Sequence, residues 1–333
     1  MTTTEIKVDS CPCVIESVPN HGNRSIVGCY ELVREDSREG ILVAVENESI
    51  VEKSSTIDGG IFDLKICGDV FVATSNGYLR KYVQSDLKEV SSIKLCDDFL
   101  TSLDVIRIKN DHIVILSDSV GRIFVVSSNG NHFKLIQSDS LTKHETSIWR
   151  VKFLQRHTDE CSDSISVGLI LVGSDDGSLR GFEMKQNHNF DPNQNYKFDT
   201  KPVIQNFDAA AGVTAINSFT DTSNDTILVT GSYDEHLRMY KFDAEKPSLI
   251  LLRTVVIPGS GIWKIRNEEN HLLVAGMFSG VHLVDKKGNI ISSKSFKDEK
   301  SIEKKELIYD VIENSDHFLV ASFYKRVLVS IKK

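Results

Sequence analysis

The sequence predicts an all-β protein folded as a seven-bladed β-propeller, and two observations support this prediction. The first is a repeated strand–turn–strand segment, clearest at residues 173–183 and 231–241. The second is another short strand that precedes most copies of the segment, as expected for four-stranded blades. A chain of 333 residues is long for one compact core, but it fits an architecture that grows by adding similar units.

The copies of the repeat share an apolar position and a regular spacing. Weaker copies are found at residues 40–45, 74–82, 116–124, 275–283 and 321–327. One column aligns Leu42, Leu79, Ile123, Leu179, Leu237, His282 and Val327, at intervals of 37, 44, 56, 58, 45 and 45 residues. Propeller repeats typically span about 40–45 residues. The two long intervals contain polar stretches at 155–166 and 186–201, which we expect to be loops.

These spacings predict one domain over residues 1–333, with blades ending near residues 46, 83, 126, 184, 242, 285 and 331. Tight turns are expected at Gly77, Gly121, Gly177 and Gly280, because glycine adopts the positive φ that such hairpins need. The last recognisable strand, 326–331, leaves its blade one strand short. We therefore expect residues 4–8 to supply the outer strand of that blade and so to close the ring.

The preceding strands are predicted to line the central channel. They lie at residues 61–64, 102–105, 148–153, 213–216, 262–265 and 308–311. One column in them reads Asp63, Asp104, Arg150, Ala215, Lys264 and Asp310, and the column beside it reads Phe62, Leu103, Trp149, Thr214, Trp263 and Tyr309. Charged and aromatic side chains from distant parts of the chain should therefore meet at the mouth of the channel.

Composition limits the classes of partner. The net charge is −8 and no basic patch is evident, so a nucleic-acid partner is not expected. No apolar run is long enough for a membrane span, and the start of the chain does not resemble a signal peptide. The six cysteines form no CxxC pair, which favours reduced thiols over a metal site. We expect a cytoplasmic protein without a metal or an organic cofactor.

The repeated segments resemble WD repeats, although the Trp-Asp signature is degenerate: the matching positions read Phe182-Glu183, Tyr240-Lys241 and Val284-Asp285. A narrower resemblance covers about residues 144–285. Its most specific parts are Gly-Ser-Tyr-Asp-Glu-His at 231–236 and Gly-Ile-Trp-Lys-Ile at 261–265, followed by Ala-Gly-Met-x-x-Gly. These runs are similar to the diphthine methyl ester hydrolases, also called diphthine methyltransferases. The chain departs from that family in lacking its histidine- and tryptophan-rich ending after Ile265 and in its short last blade.

The resemblance implies hydrolysis of a methyl ester of methylated diphthine on elongation factor 2, without an organic cofactor. Ester hydrolysis needs a base and donors for the developing oxyanion. The candidate catalytic residues are His144, Arg150 and Lys264. The alternative for His144 is a hydrogen bond within its blade.

The substrate named by the resemblance carries a trimethylammonium group, which aromatic faces and carboxylates attract. The candidate substrate-binding residues are Asp63, Asp104, Trp149, Trp263 and Tyr309. The alternative for both tryptophans is packing between blades.

Two other classes of function compete with the hydrolase. One is a non-enzymatic scaffold that binds protein partners through the propeller faces, as in trafficking or ubiquitin-ligase assembly, because this fold hosts many functions. The other is a metal-dependent or phosphate-handling propeller enzyme. The sequence contains no HExxH motif, P-loop or G-x-S-x-G motif, so no common catalytic signature decides the question.

Overall fold

The computed structural model describes residues 2–35, 37–108, 111–141, 146–155, 164–187, 196–243, 246–259, 261–296 and 306–333. In these residues all regular structure is β-strand, and no helix that could cross a membrane is found among them. Seven antiparallel sheets of four or five strands are present, which confirms the seven-bladed propeller. Their strands have the following bounds.

Blade 1 contains β2 (Cys11–Ser17), β3 (Arg24–Arg34), β4 (Ser37–Glu46), β5 (Ser49–Lys53) and the short β6 (Ile57–Asp58). Blade 2 contains β7 (Ile61–Cys67), β8 (Asp69–Thr74), β9 (Tyr78–Tyr82) and β10 (Glu89–Lys94). Blade 3 contains β11 (Leu100–Ile108), β12 (Asp111–Asp118), β13 (Arg122–Asn129) and β14 (His132–Ser140). Blade 4 contains β15 (Ile148–Gln155), β16 (Ser164–Ser174), β17 (Leu179–Asn187), β18 (Tyr196–Phe198) and β19 (Ile204–Asn206).

Blade 5 contains β20 (Val213–Thr220), β21 (Thr226–Ser232), β22 (His236–Asp243) and β23 (Ser248–Val256). Blade 6 contains β24 (Ile262–Asn267), β25 (His271–Gly276), β26 (Gly280–Asp285) and β27 (Ile290–Lys294). Blade 7 contains β28 (Ile308–Glu313), β29 (His317–Ser322), β30 (Val327–Lys332) and, from the start of the chain, β1 (Thr3–Lys7).

The exact blade boundaries remain a prediction, with ends near residues 46, 83, 126, 184, 242, 285 and 331. The third strands end at Glu46, Tyr82, Asn129, Asn187, Asp243, Asp285 and Lys332, and a fourth strand follows in blades 1 to 6.

The ring closes through both its inner and its outer strands. The first strands of successive blades contact one another, and β28 of the last blade contacts β2 of the first. At the outer side β1 pairs antiparallel with β30, from Thr3 opposite Ile331 to Lys7 opposite Val327. The Val8 N–H extends the pairing by donating to the Arg326 carbonyl at 3.0 Å. The predicted closure by residues 4–8 is therefore confirmed.

The hydrophobic core is divided among the seven interfaces between blades. Successive side chains of a strand point to opposite faces, so each blade packs against both of its neighbours. The interface between blades 7 and 1 buries Ile6, Ile15, Leu319 and Leu328 in one cluster. A side chain of β1 thus contributes directly to the interface that closes the ring.

One backbone hydrogen bond recurs in six blades and fixes the turn between the second and third strands. The first residue of each turn donates its N–H to a carbonyl just before the first strand of the same blade, at 2.8–3.0 Å. The donors are Ser75, Ser119, Asp175, Tyr233, Met277 and Phe323. These six side chains are thereby placed around one end of the central channel.

The predicted glycine turns adopt positive φ, as expected. At Gly77 φ is +79°, and a Cβ would lie 2.0 Å from the Cys96 carbonyl oxygen, so no other residue fits without distortion. In blade 5 the corresponding turn places Glu235 at φ +68° instead.

The predicted apolar column is wrong in the last two blades. Leu79 lies opposite Ala73, and the equivalent pairs are Val281 opposite Ala275 and Leu328 opposite Ala321. His282 and Val327 are each one position away from that column. In a strand, a one-residue slip moves a side chain to the opposite face, so His282 faces the other neighbouring blade.

Candidate functional site

The first strand of every blade carries a β-bulge near its start. The pairing with the second strand shifts by one residue there, between Ile61 and Asp63 in blade 2, for example. The bulged residues of the seven blades are Cys13, Phe62, Thr101, Trp149, Thr214, Trp263 and Tyr309. A bulge bends its strand and redirects the side chain that it carries. Four of the seven bulged residues are aromatic, and their rings meet at the channel end.

We call this group of rings the aromatic mouth. It consists of Tyr30, Phe62, Phe99, Trp149, Tyr233, Trp263, Tyr309 and Phe323. Neighbouring ring centroids are 4.9–6.5 Å apart, within the range of favourable aromatic contacts. The rings come from at least six blades, so the mouth exists only in the closed propeller.

The structure brings the three predicted aromatic residues together. Trp149 and Trp263 have ring centroids 5.8 Å apart, and Trp263 and Tyr309 are 5.2 Å apart in an edge-to-face contact. Trp149 belongs to blade 4 and Trp263 to blade 6. Blade 5 places the small, buried Thr214 between them, and Tyr233 from its turn packs against both tryptophans.

A small cleft lies among these rings. It is lined by Cys13, Tyr30, Phe62, Trp263, Tyr309 and Phe323. Burial raises the pKa of the Cys13 thiol well above its usual value, so the thiol stays protonated and is a poor nucleophile. The cleft is therefore suited to binding through ring faces rather than to attack by a protein thiolate.

One exposed carboxylate lies at the rim of the mouth. Asp175 accepts a hydrogen bond of 2.7 Å from the Trp149 indole N–H. Burial and the nearby Asp175 carboxylate raise the pKa of Tyr233 to about 12. Asp175 therefore orients Trp149 and adds negative charge beside two rings.

Directly beneath the mouth, three predicted residues form a buried ion cluster. Asp63 is 1% exposed, and its two carboxylate oxygens bind Arg150 Nη1 at 2.9 Å and Lys264 Nζ at 3.0 Å. The Leu103 N–H and the Ser102 hydroxyl donate to the same carboxylate. With these four partners and almost no exposure, Asp63 is not available as the predicted counter-charge for a cation in the aromatic mouth.

The electrostatics of this cluster are set by burial and by mutual pairing. Burial opposes ionisation of Asp63, but Lys264 and Arg150 outweigh it and hold the pKa of Asp63 well below its usual value. Burial and the neighbouring Arg150 lower the pKa of Lys264 to about 8, against the opposing effect of Asp63. Lys264 is thus a buried cation that lies close to losing its proton at neutral pH.

The predicted alignment of Asp104 with Asp63 is wrong. The bulge of blade 3 is at Thr101, so Ser102 is the equivalent of Asp63 and Asp104 lies two residues deeper in the channel. Asp104 binds Lys152 Nζ at 3.1 Å and accepts the Phe153 N–H at 2.9 Å. It is therefore remote from the aromatic mouth, and a substrate-binding role there has no geometric support.

A second ion cluster lies at the depth of Asp104. Arg266 contacts Asp310 and binds Glu16 Oε1 at 2.7 Å, and Lys65 also pairs with Glu16. Burial opposes ionisation of Glu16, but Arg266 and Lys65 lower its pKa to about 2. These pairs connect blades 1, 2, 6 and 7 across the channel wall.

Three channel carboxylates also join neighbouring blades through the backbone. Asp63 accepts the N–H of Leu103 in blade 3, and Asp104 accepts that of Phe153 in blade 4. Asp310 accepts the Ile15 N–H at 3.0 Å, across the closure between blades 7 and 1. These contacts give the inner aspartates a structural function.

None of the histidines in the described ranges lies at the aromatic mouth. His144 lies outside the described residues. His282 is buried, with Nε2 2.9 Å from Ser279 Oγ and Nδ1 2.8 Å from Ser293 Oγ, and burial lowers its pKa. His236 lies in its turn with Nδ1 2.5 Å from the Asp234 carbonyl. Among the described residues no cluster of three histidine, cysteine or acidic side chains could hold a metal ion.

Several residues of the mouth were not selected from the sequence. Phe62 was recognised in the inner-strand column, but Tyr30, Phe99, Tyr233, Phe323 and Asp175 were not considered. Tyr233, Phe323 and Asp175 each open a tight turn, and the recurrent hydrogen bond of those turns would have identified them. Tyr30 lies inside the long strand β3 and Phe99 lies in the loop before β11, so neither opens such a turn.

Comparison with known proteins gives two relatives. A protein named diphthine methyltransferase homolog from Dictyostelium discoideum is 23% identical over 312 residues, covering 81% of this chain and 79% of that protein. A protein named diphthine methyltransferase from Homo sapiens is 28% identical over 175 residues, covering 52% of this chain and 33% of that protein. No protein-family model matches the chain.

Proposed function

We propose that the chain, which the two similarities assign to the diphthine methyltransferase family, hydrolyses the methyl ester of methylated diphthine on elongation factor 2. Water adds to the ester carbonyl and the C–O bond to the methoxy group breaks. The products are the diphthine carboxylate, methanol and the proton that the carboxylic acid releases. We further propose that this reaction takes place in the cytoplasm.

The observation that carries this proposal is the aromatic mouth above a layer of buried charge. A trimethylammonium group is a bulky cation without N–H donors, and ring faces bind it through their quadrupoles. Each ring contributes about 0.5–2 kcal/mol, so contacts with two or three rings give useful affinity. Trp263 and Tyr309 line the cleft, and Trp149 packs against Trp263 beside it.

We assign Asp175, rather than Asp63 or Asp104, as the carboxylate that attracts the trimethylammonium group of the substrate. It is exposed at the rim, whereas Asp63 is enclosed by Arg150 and Lys264. An exposed carboxylate contributes a modest attraction, of the order of 0.2–1 kcal/mol. Its hydrogen bond to Trp149 also holds that indole in place.

Arg150 and Lys264 supply positive charge on the inner side of the mouth. Each directly follows a tryptophan of the mouth in the sequence, and both point to Asp63 at the channel centre. A carbonyl oxygen that gains negative charge during water attack is stabilised by preorganised positive charge in a buried setting. We therefore assign these two residues to oxyanion stabilisation.

The direct test is incubation of the purified chain with elongation factor 2 that carries methylated diphthine. Mass spectrometry of the modified peptide should show loss of the mass of one methylene group, with equimolar methanol released. Heat-denatured protein is the control. An unchanged peptide mass after incubation with correctly folded protein would contradict the proposal.

A scaffold remains the second candidate, and one observation favours it. The outer strands β23 and β27 expose apolar side chains, with Ile250, Leu252 and Ile291 each more than half exposed. Contiguous exposed apolar side chains are typical of protein interaction sites. A scaffold without enzymatic activity would leave the methyl ester intact in the assay described above.

A further inference from the structure

The channel contains a second cavity beneath the aromatic mouth. It lies deeper than the aromatic mouth, among the inner strands of blades 2 to 6. Five cationic side chains line it: Lys65, Arg150, Lys152, Lys264 and Arg266. The only carboxylate among its lining residues is Asp104, beside the amide of Asn217. In a chain of net charge −8, this local excess of cations is unexpected.

The ion pairs around the cavity do not balance. The same five cations pair with four carboxylates, which are Glu16, Asp63, Asp104 and Asp310. Asp63 serves two cations, Arg150 and Lys264. Burying an unbalanced charge is costly, so the cluster is short of one negative charge.

Two of the paired carboxylates also bind backbone groups. Asp63 and Asp310 accept backbone N–H groups of the neighbouring blades, at 3.2 and 3.0 Å, and neither lines the cavity. The five cations therefore line the cavity, whereas three of their four carboxylate partners, Glu16, Asp63 and Asp310, do not. This arrangement leaves donors available to a further acceptor.

We propose that this cavity is a binding site for a compact oxyanion, of the class of sulfate, phosphate or a small carboxylate. Such an anion supplies the missing negative charge and accepts hydrogen bonds from lysine, guanidinium and amide groups. The inference does not rest on the proposed esterase reaction, because sulfate binding is measured without the protein substrate, although Arg150 and Lys264 belong to both sites.

The test uses inorganic sulfate, titrated into the full chain at constant ionic strength with chloride as the balancing salt. Isothermal titration calorimetry should show one saturable site. Each of the substitutions Lys65→Met and Lys152→Met removes one positive charge and should weaken sulfate binding at least tenfold. Glu16→Gln increases the excess of positive charge and should strengthen sulfate binding. Lys94→Met, on the exposed outer strand of blade 2, is the matched control and should bind sulfate like the wild type.

The affinity should also depend on pH. Lys264 faces Asp63, Arg150, Asp310 and Arg266, and burial lowers its pKa to about 8. Sulfate keeps its charge in this range, so loss of the Lys264 proton should make sulfate binding weaker at pH 9 than at pH 7.

Circular dichroism verifies the fold of each variant, and Lys65→Arg should restore binding where Lys65→Met loses it. Absence of saturable binding, equal affinity in the methionine variants, or an affinity independent of pH would each overturn the proposal.

Discussion

At the scale of single residues, the sequence identified chemically important side chains better than it identified their roles. Asp63, Arg150 and Lys264 were all predicted to belong to the site, and they do meet. However, Asp63 binds partners 87 and 201 residues away, so its carboxylate is not available to a ligand. Pairing over such separations depends on which blades face each other across the ring, and no local pattern encodes it.

Replacing Asp63 by Asn should strongly destabilise the fold. The substitution leaves Arg150 and Lys264 buried without a counter-charge, and breaking a buried pair in this way costs about 3–5 kcal/mol. Urea unfolding should show this loss in the free energy of unfolding. Asp9→Asn removes an exposed surface ion pair and should cost less than 1 kcal/mol. Equal effects of the two substitutions would contradict a structural role for Asp63.

Glu16 should make the stability sensitive to acid. Its pKa is about 2 in the folded chain and about 4.3 when unfolded, so its ionised form stabilises the fold above about pH 4. That contribution should disappear as the pH falls from about 4 towards 2. Glu16→Gln should flatten this part of the stability profile, measured by urea unfolding at each pH. An unchanged slope in the variant would show that other groups are responsible.

Substituting Asp175 by Asn should raise KM for the methylated protein by a factor of about 1.4 to 5, because an exposed charge contributes about 0.2–1 kcal/mol. The value of kcat should change little, since Asp175 is assigned to cation binding. Steady-state kinetics by mass spectrometry measures both quantities. Asp97→Asn, a fully exposed carboxylate on another loop, is the control. A fall in kcat with KM unchanged would assign Asp175 to the chemical step instead.

At the scale of the strand, the bulges decide which side chains reach the mouth. Strand positions, turns and aromatic columns were predictable because apolar alternation and glycine turns are local signals. The bulge is not visible in that alternation, since it adds one residue to only one strand of a pair. Aligning Asp104 rather than Ser102 with Asp63 was the consequence.

The tight turn at Gly77 provides a test at this scale. Gly77→Ala should destabilise the fold by about 2 kcal/mol or more, because a Cβ would lie 2.0 Å from the Cys96 carbonyl oxygen. Gly68 has a similar φ of +75°, but a Cβ there would meet nothing within 4 Å. Gly68→Ala therefore reports the backbone strain alone, expected to be about 1 kcal/mol. Thermal unfolding of both variants should separate the two effects, and equal losses would contradict the steric argument.

At the scale of the whole molecule, closure of the ring makes both the core and the mouth possible. The sequence predicted closure by the first strand because the last blade was one strand short. It could not predict the angular positions of the seven blades, which place Trp149 of blade 4 against Trp263 of blade 6. Those positions depend on all seven interfaces between blades together.

Weakening the closing strand should therefore affect the entire propeller. Ile6 is buried between blades 7 and 1, and Ile6→Ala should lower the free energy of unfolding by about 2–4 kcal/mol. Thr4 lies exposed on the same strand, so Thr4→Ala should cost less than 1 kcal/mol. Fluorescence of the two tryptophans should follow the same unfolding transition as circular dichroism. Unfolding that circular dichroism detects but tryptophan fluorescence does not would contradict the claim that ring closure forms the aromatic mouth.

The most direct test of the central claim is kcat/KM for demethylation of methylated elongation factor 2 by Trp263→Ala, compared with the wild type. Loss of one ring contact worth about 0.5–2 kcal/mol should lower kcat/KM about two- to 30-fold, mainly through KM. Phe207→Ala removes an exposed aromatic ring outside the mouth and should leave kcat/KM unchanged. A folded Trp263→Ala protein with wild-type kcat/KM would contradict substrate binding at the aromatic mouth.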